Sequence, residues 1–388
     1  MPDWPLFPVT VVGSLPRPPW LLEALRRRPP DLERRRDDAA LLAIKQQEDA
    51  GVDIVTDGEQ RRDNFYSFLC ERIDGLQLMT LAELLDHVED KSAFEGLLQA
   101  LDVPAFAIKN PVAVGRLERR APLALDDFRF LRLHTRRAVK VTLPGPYLLC
   151  RSAWVKNLSS SVYPTREQLA DDVVRLLRDE LRQLAQAGCD VIQLDEPVLS
   201  ELAFAGKSAT RTFMCAALAA AASPEQELDL AVDLVNRVVE GVDGPLLAVH
   251  VCRGNWSRND EVLLSGSYDA LMPWLRRMNV GQLVLEFATQ RAGPIDVLKD
   301  YPADKALGLG LVDPRTPETE DVADLCRRVE AIRPWIDAER IHLNPDCGFG
   351  TFADRPVASI EAACGKLRRL AETAQELRRR ERLGVTES

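Results

Sequence analysis

The 388-residue chain contains no apolar run approaching the ~18 residues that a membrane-spanning helix needs. Its opening stretch, MPDWPLFPVT, has neither the basic start nor the apolar centre of a secretory signal. Both absences predict a cytoplasmic protein whose eight cysteines are reduced thiols or metal ligands rather than disulfides. A surplus of positive charge is missing too. The 50 Lys and Arg are interspersed with 60 Asp and Glu for a net charge of −10, which excludes nucleic acid and points to a small-molecule substrate. No GxGxxG turn follows the first strand-like run, where GSLPRP stands instead, so a flat dinucleotide-binding sheet is disfavoured. The 46% hydrophobic and 28% charged residues that remain are ordinary for a globular enzyme.

Eight short apolar or β-branched runs each close on Gly, Pro or polar residues. They are VTVVGS (9–14), DIVTDGE (53–59), VKVTLPGP (139–146), DVIQLDEP (190–197), LLAVHVC (246–252), QLVLEF (282–287), ALGLGLVD (306–313) and IHLNPDCG (341–348). Helix-period segments such as 167–188 and 224–242 separate them, and that alternation predicts a parallel sheet. The fourth and fifth runs are nearly continuous in hydrophobicity, as strands covered on both faces are. The predicted fold is therefore a (β/α)8 TIM barrel filling 1–388 as a single domain, within the usual size range of that fold. Residues 60–138 are too long for a βα connection and are read as an insertion between the second and third strands. With a helix-like LAELLDHVEDKSAFEGLLQAL and a strand-like PVAVGRLE, the insertion is placed over the barrel mouth or at the subunit interface of a homo-oligomer. SIEAACGKLRRLAETAQELRRRERLG predicts a long final helix whose basic end suits the helix dipole.

Barrel enzymes carry their sites at the carboxyl ends of the strands. His250 and Cys252 are two apart on the fifth run, so both side chains leave one face. Glu286 closes the sixth run and Cys347 lies in NPDCGFG at the end of the eighth. Two thiolates, one imidazole and one carboxylate make a tetrahedral set suited to zinc. The plainer alternative treats a free Cys as a small buried hydrophobe and a strand His as a core residue. That reading is kept for Cys70, Cys150, Cys189, Cys215, Cys326 and Cys364, and for His87, His134 and His342. With two thiolates and a carboxylate the ion is more than neutralised, so it is a poor polariser of carbonyls but suits an incoming thiol. Glu286 is the ligand expected to loosen.

In order along residues 9 to 352, the set GS (13–14), DGE (57–59), LPGP (143–146), IQLDEP (192–197), HVCRGN (250–255), LEF (285–287) and NPDCGFG (344–350) resembles the catalytic C-terminal barrel of cobalamin-independent methionine synthase. The resemblance implies zinc on His250, Cys252, Glu286 and Cys347. It also implies transfer of a methyl group to homocysteine from 5-methyltetrahydrofolate or from a donor delivered by another protein. By the same resemblance Gly13 and Ser14 bind the substrate carboxylate, while Glu59 and Asp195 bind its ammonium and serve catalysis. Carboxylates at strand ends also cap helices or pair with Arg, and Glu196, on the opposite face from Asp195, is read as structural.

The chain departs from the family pattern in places. Long members carry a second, N-terminal barrel that this chain lacks, so it resembles the short single-barrel branch. A family His after the seventh strand helps proton movement; GLVDPRTPETE has none, and Asp313 is the acid expected to serve. For the family's aromatic pterin platform, LPGPYLLCRSAW offers Tyr147 and Trp154. The short branch also contains epoxyalkane:coenzyme M transferase, which opens an epoxide with a zinc-activated thiol. In that alternative a sulfonate would need arginines, and Arg17, Arg61, Arg62, Arg253 and Arg291 lie near strand ends. Acids at 59 and 195 would be useless there, so they favour homocysteine. A non-catalytic zinc protein is the third alternative, disfavoured because structural zinc is normally enclosed.

Overall fold

The computed structural model describes residues 4–87, 109–204, 223–255, 257, 260 and 263–384. Among these, β1 (Ile54–Val55), β4 (Ala138–Pro144), β5 (Val191–Asp195), β6 (Leu246–Val251), β7 (Gln282–Glu286), β8 (Ala306–Val312) and β9 (Ile341–Pro345) form one parallel sheet in that order. β2 (Ile73–Thr80) and β3 (Lys109–Arg119) pair antiparallel as a separate ribbon. The large sheet curls shut through residues 9–10, where Val9 bridges Leu343 of β9 and Thr10 bridges Ile54 of β1, both in parallel. The result is a (β/α)8-type barrel.

Seven of the expected runs coincide with β1 and β4–β9, shortened where their polar closing residues turn out of the ladder. The run at 9–14 differs: it enters the sheet by two single bridges rather than as a strand. Side chains take the acceptors that a ladder would use. The Val11 carbonyl accepts from Lys140 Nζ, that of Val12 from Gln193 Nε2 at 3.1 Å, and that of Gly13 from Thr56 Oγ1 at 2.8 Å. From outside, Arg378 on helix Ile360–Leu383 holds the approach to this seam through the Leu6 carbonyl at 2.6 Å and Asp53 at 2.7 Å.

The helices follow the expected periodicity. Arg166–Gln186 is capped by Thr165, whose side chain accepts from the Gln168 amide, and buries Leu169, Val173, Leu177, Leu181 and Leu184 along one stripe. Helix Ile360–Leu383 starts at the Ser359 cap and stops at Gly384, whose φ of 65° only glycine adopts readily. In the insertion, PVAVGRLE falls within β3 as expected, and the described start of the helix-like stretch holds the helical turn Leu81–Leu84, opened by a Thr80/Glu83 capping box. Residues 88–108 lie outside the described residues, as does Cys215. No helix among the described residues is long and apolar enough to cross a membrane, and the seven described cysteines are free thiols.

Alternation along each strand sends every second side chain toward the barrel axis. The lower part of this interior is an apolar cluster of Val12, Ile54, Val191, Ala248 and Val284 with Trp4 against it. Lys140 and His342 are also fully buried within the strands. The upper part is polar, with Thr142, Asp195, His250, Glu286 and Asp346, all buried. In β8 the residue opposite Glu286 is Gly310, where a Cβ would lie 2.2 Å from Asp346 Oδ1. The missing side chain lets the Asp346 carboxylate reach the amides of Phe287 and Ala288 at 3.0 and 2.9 Å.

Candidate metal and substrate site

β6 delivers His250, and the residue after its end is Cys252, two positions on, while the turn after β9 delivers Cys347. The ligand atoms of these three buried residues lie within 4.8 Å of one another. Asp195, the register partner of His250 on β5, sits 2.9 Å from the imidazole Nδ1. A carboxylate only accepts, so Nδ1 carries the proton and Nε2 is turned inward; Nε2 is buried without a hydrogen-bond partner. Burial pushes the His250 pKa down, but the Asp195 hydrogen bond and the nearby Cys252 and Glu286 charges outweigh it and raise the pKa to about 9. The hydrogen bond with Cys252, followed by burial, holds the Cys347 thiol well above the ordinary range. Two sulfurs and an imidazole nitrogen converging at that spacing can hold a metal ion, and a cation among them relieves the crowding of like charge.

Glu286 does not join that cluster. Its Oε1 accepts from the Arg253 amide and from Asn255 Nδ2, both at 2.6 Å, and its Oε2 is buried without a partner. Gly254, at φ 95°, turns the HVCRGN segment so that these donors sit over the end of β7. Arg291 in turn donates to Asn255 Oδ1 at 2.9 Å. Tyr268 ties the two strands together: its hydroxyl donates to the Val251 carbonyl at 2.9 Å and accepts from the Glu286 amide at 3.0 Å. The Arg253 guanidinium lies over the Tyr268 ring at 3.9 Å.

The three-residue cluster opens into a cavity that is also lined by Gly13, Ser14, Glu59, Phe65, Tyr66, Asp195 and Asn255. Glu59 is held in the left-handed backbone region at φ 54°, which few non-glycine residues occupy, while Asp57 Oδ1 accepts from its amide at 3.0 Å. Its Oε1 accepts from Thr142 Oγ1 at 2.9 Å and its Oε2 has no partner. Burial raises the Glu59 pKa, with Arg62 opposing. Gly13 passes so close that a Cβ there would stand 2.3 Å from Glu59 Oε1. The Ser14 hydroxyl accepts from the Gly350 amide at 3.3 Å.

Of the residues expected at the site, His250, Cys252, Cys347, Gly13, Ser14, Glu59 and Asp195 thus share one cavity. Glu286 and Asp313 are not among its lining residues. Asp313 borders a separate hollow with Asp260, Arg291 and Arg315, where its Oδ1 accepts from the Arg315 amide at 2.9 Å. None of the five arginines lines the cavity either. Arg17 donates to the carbonyls of Gly350, Glu59 and Arg62; Arg62 donates to Thr142, Arg61 to Asp37, and Arg253 to Gly266. Tyr147 and Trp154 are tied elsewhere, to Glu227 at 2.7 Å and to the Tyr163 carbonyl at 3.0 Å. The aromatic wall comes instead from Phe65 and Tyr66, ring centroids 4.9 Å apart, just after β1. Adjacent aromatics directly behind DGEQRRDN were the available signal, and the reading of 60–138 as a cover over the mouth passed over it. Glu196 caps helix Pro146–Ala153, accepting from the Tyr147 and Leu148 amides at 2.8 and 2.9 Å, in line with its structural reading.

A family model described as the catalytic domain of cobalamin-independent synthase matches residues 7–375. The methionine synthase of Saccharolobus solfataricus is 28% identical over 356 residues, covering 90% of this chain and 90% of that protein. The methionine synthase of Pyrococcus furiosus is 28% identical over 363 residues, covering 92% of this chain and 90% of that protein. Among solved structures, a B12-independent methionine synthase from Shewanella sp. W3-18-1 in complex with selenomethionine superposes with a TM-score of 0.74 at 24% identity, covering 98% of this chain and 100% of that one, which shows the shared fold.

Proposed function

The chain belongs to the cobalamin-independent methionine synthase family, and on that premise we propose that it transfers a methyl group to the thiol of homocysteine with zinc held by His250, Cys252 and Cys347. The observation that carries this reading is a single cavity with a soft-ligand cluster at one wall and two buried acids, Glu59 and Asp195, at another. The donor set suits zinc, and the unpartnered inward Nε2 of His250 is the kind of atom a metal satisfies. We assign Glu286 the fourth, exchangeable position, because its Oε2 is unpartnered while Arg253 and Asn255 hold its Oε1. Held there by His250, Cys252 and Cys347, zinc would supply a lowered pKa to the substrate thiol, and its thiolate ligands would keep that sulfur electron-rich.

The chain's own residues hold the rest of the amino acid. Glu59, oriented by Thr142, and Asp195 receive the ammonium; the Ser14 hydroxyl and the backbone beside Gly13 receive the carboxylate. Phe65 and Tyr66 limit water. The S–CH3 bond forms as the donor's bond to methyl breaks, the donor atom keeps the electron pair, and the thiol proton leaves to solvent. The donor is a methylfolate or a protein-delivered methyl carrier. Asp313, outside the cavity, is given no part in binding homocysteine.

The cavity favours homocysteine over coenzyme M, since its acids match an ammonium and repel a sulfonate, and the nearby arginines are already bonded within the protein. Calorimetric titration of the zinc-loaded protein with L-homocysteine and with coenzyme M, in buffers of different ionisation enthalpy, tests this. Homocysteine is expected to bind with proton release and coenzyme M not to bind. Binding of coenzyme M alone would overturn the reading in favour of an epoxide-opening thiol transferase, and binding of neither would reject both thiols.

A further inference from the structure

Beneath the cavity, a hydrogen-bonded line runs through the barrel interior to the proposed metal ligand. Lys140 on β4 donates to Gln193 Oε1 at 3.1 Å. Gln193 on β5 donates through Nε2 to Asp195 Oδ1 at 2.8 Å, and that same oxygen lies 2.9 Å from His250 Nδ1. Lys140 and Gln193 are 2% and 0% exposed, so bulk solvent does not compete for these bonds.

The line has a direction. The Val12 carbonyl and the Asp195 carboxylate only accept, so the atom of Gln193 facing them is the amide nitrogen, and its carbonyl oxygen faces Lys140. Asp195 Oδ1 then collects two donors, Gln193 Nε2 and His250 Nδ1. That leaves His250 Nε2 as the nitrogen free to bind a metal, once its proton is displaced, beside the two cysteines. The same two side chains have second bonds, from Lys140 to the Val11 carbonyl and from Gln193 to the Val12 carbonyl at 3.1 Å. These carbonyls belong to the seam that lacks a ladder and runs directly into Gly13 and Ser14.

We propose that Lys140 and Gln193 are positioning residues that fix, from below, both the metal-binding face of His250 and the placement of Gly13–Ser14, so that one buried pair registers the two ends of the substrate site against each other. This rests on the reading of His250, Cys252 and Cys347 as a metal centre. The inference adds two residues that touch neither metal nor substrate; Gln193 stands within IQLDEP but carried no role there, and Lys140 precedes LPGP.

The test uses the full chain as wild type, Gln193→Glu and Lys140→Met. Metal affinity is read by competition with a chromophoric chelator, geometry by the visible spectrum of the cobalt-substituted protein, and the far end by the KM for homocysteine. Gln193→Glu keeps a partner for Lys140 but removes the donors to Asp195 and Val12. It is expected to weaken metal binding roughly 10- to 100-fold, the scale of lost outer-sphere partners, to alter the cobalt bands, and to raise KM with far-UV dichroism unchanged. Lys140→Met should move the same readouts in the same direction. A purely structural role would lower the melting temperature and leave affinity, bands and KM in place, which overturns the proposal. With only four histidines in the chain, imidazole 15N correlation on the zinc-loaded wild type gives a check free of variants: Nδ1–H with metal on Nε2 is expected, and metal on Nδ1 overturns it. A wild type that takes no metal overturns the metal reading and this proposal with it, whereas variants that bind as tightly as a metal-binding wild type overturn the pair's role alone.

Discussion

The same strands build a floor and a mouth of opposite character. On the floor, Val12, Ile54, Val191, Ala248 and Val284 pack together, and the buried Lys140 has its partners. At the mouth, His250 Nε2, Glu59 Oε2 and Glu286 Oε2 are buried without partners, and Glu59 adopts a strained backbone. A buried polar atom left unpaired costs about 1–3 kcal/mol. The floor therefore stabilises a mouth that is unfavourable by itself, the arrangement expected where polar atoms are reserved for ligands.

The strongest challenge to that division is Cys347→Ser. If the mouth is functional and the floor structural, the variant loses bound metal and at least roughly 10³-fold in kcat/KM, about 4 kcal/mol of transition-state stabilisation, while far-UV dichroism and thermal unfolding of the metal-free protein stay near wild type. Metal analysis and a melting curve decide it; loss of the fold on metal removal would make the centre structural.

Legibility in the sequence follows the same division. Period-two alternation with polar closers made the staves and the shared face of His250 and Cys252 visible, because both are local consequences of an extended backbone. The side-chain placement of Glu286 was not visible, since it depends on the Gly254 turn that brings the Arg253 amide and Asn255 across to β7. The seam at 9–14 looked like a strand because its β-branched residues suit one, and nothing local says that Lys140 and Gln193 take its carbonyls. A lysine on the inward face of VKVTLPGP was the one available sign. Asp313 was placed by analogy with a family position, and its own surroundings bond it to the Arg315 amide.

A milder substitution separates the two halves of the mouth. Gly13→Ala places a Cβ against Glu59 Oε1 and should raise the KM for homocysteine about tenfold, near the ~1.5 kcal/mol of one hydrogen bond to a charged group, while metal content is unchanged. Steady-state kinetics beside metal analysis checks it, and parallel loss of metal would show that the halves are not separable.

An effect that builds up only as the pH falls belongs to the floor. Burial, aided by Lys140, lowers the His342 pKa to about 3 from the ordinary 6.5. Between those values the unfolded chain holds a proton that the native state refuses. The stability of the neutral ring is therefore complete above about pH 6.5 and drains away as the pH falls toward 3, by at most ~1.4 kcal/mol per pH unit for one proton. His342→Phe, which retains an aromatic ring against Trp4, should flatten the acid limb of a plot of unfolding midpoint against pH. An unchanged limb would mean that the floor takes up no proton of its own.

The arginines bonded within the wall also govern traffic. Their guanidinium groups lie behind the wall, bonded to carbonyls and carboxylates, while the acids that face the opening are Glu59 and Asp195, on a molecule of net charge −10. A zwitterion crosses the field of these acids with little net work, but every extra carboxylate on a second substrate is repelled over roughly the 10 Å that ions screen at 0.1 M salt. On the proposed function, added salt should then speed the capture of a polyanionic donor, the reverse of ordinary electrostatic steering, so that the mouth would act as a charge filter favouring the amino acid.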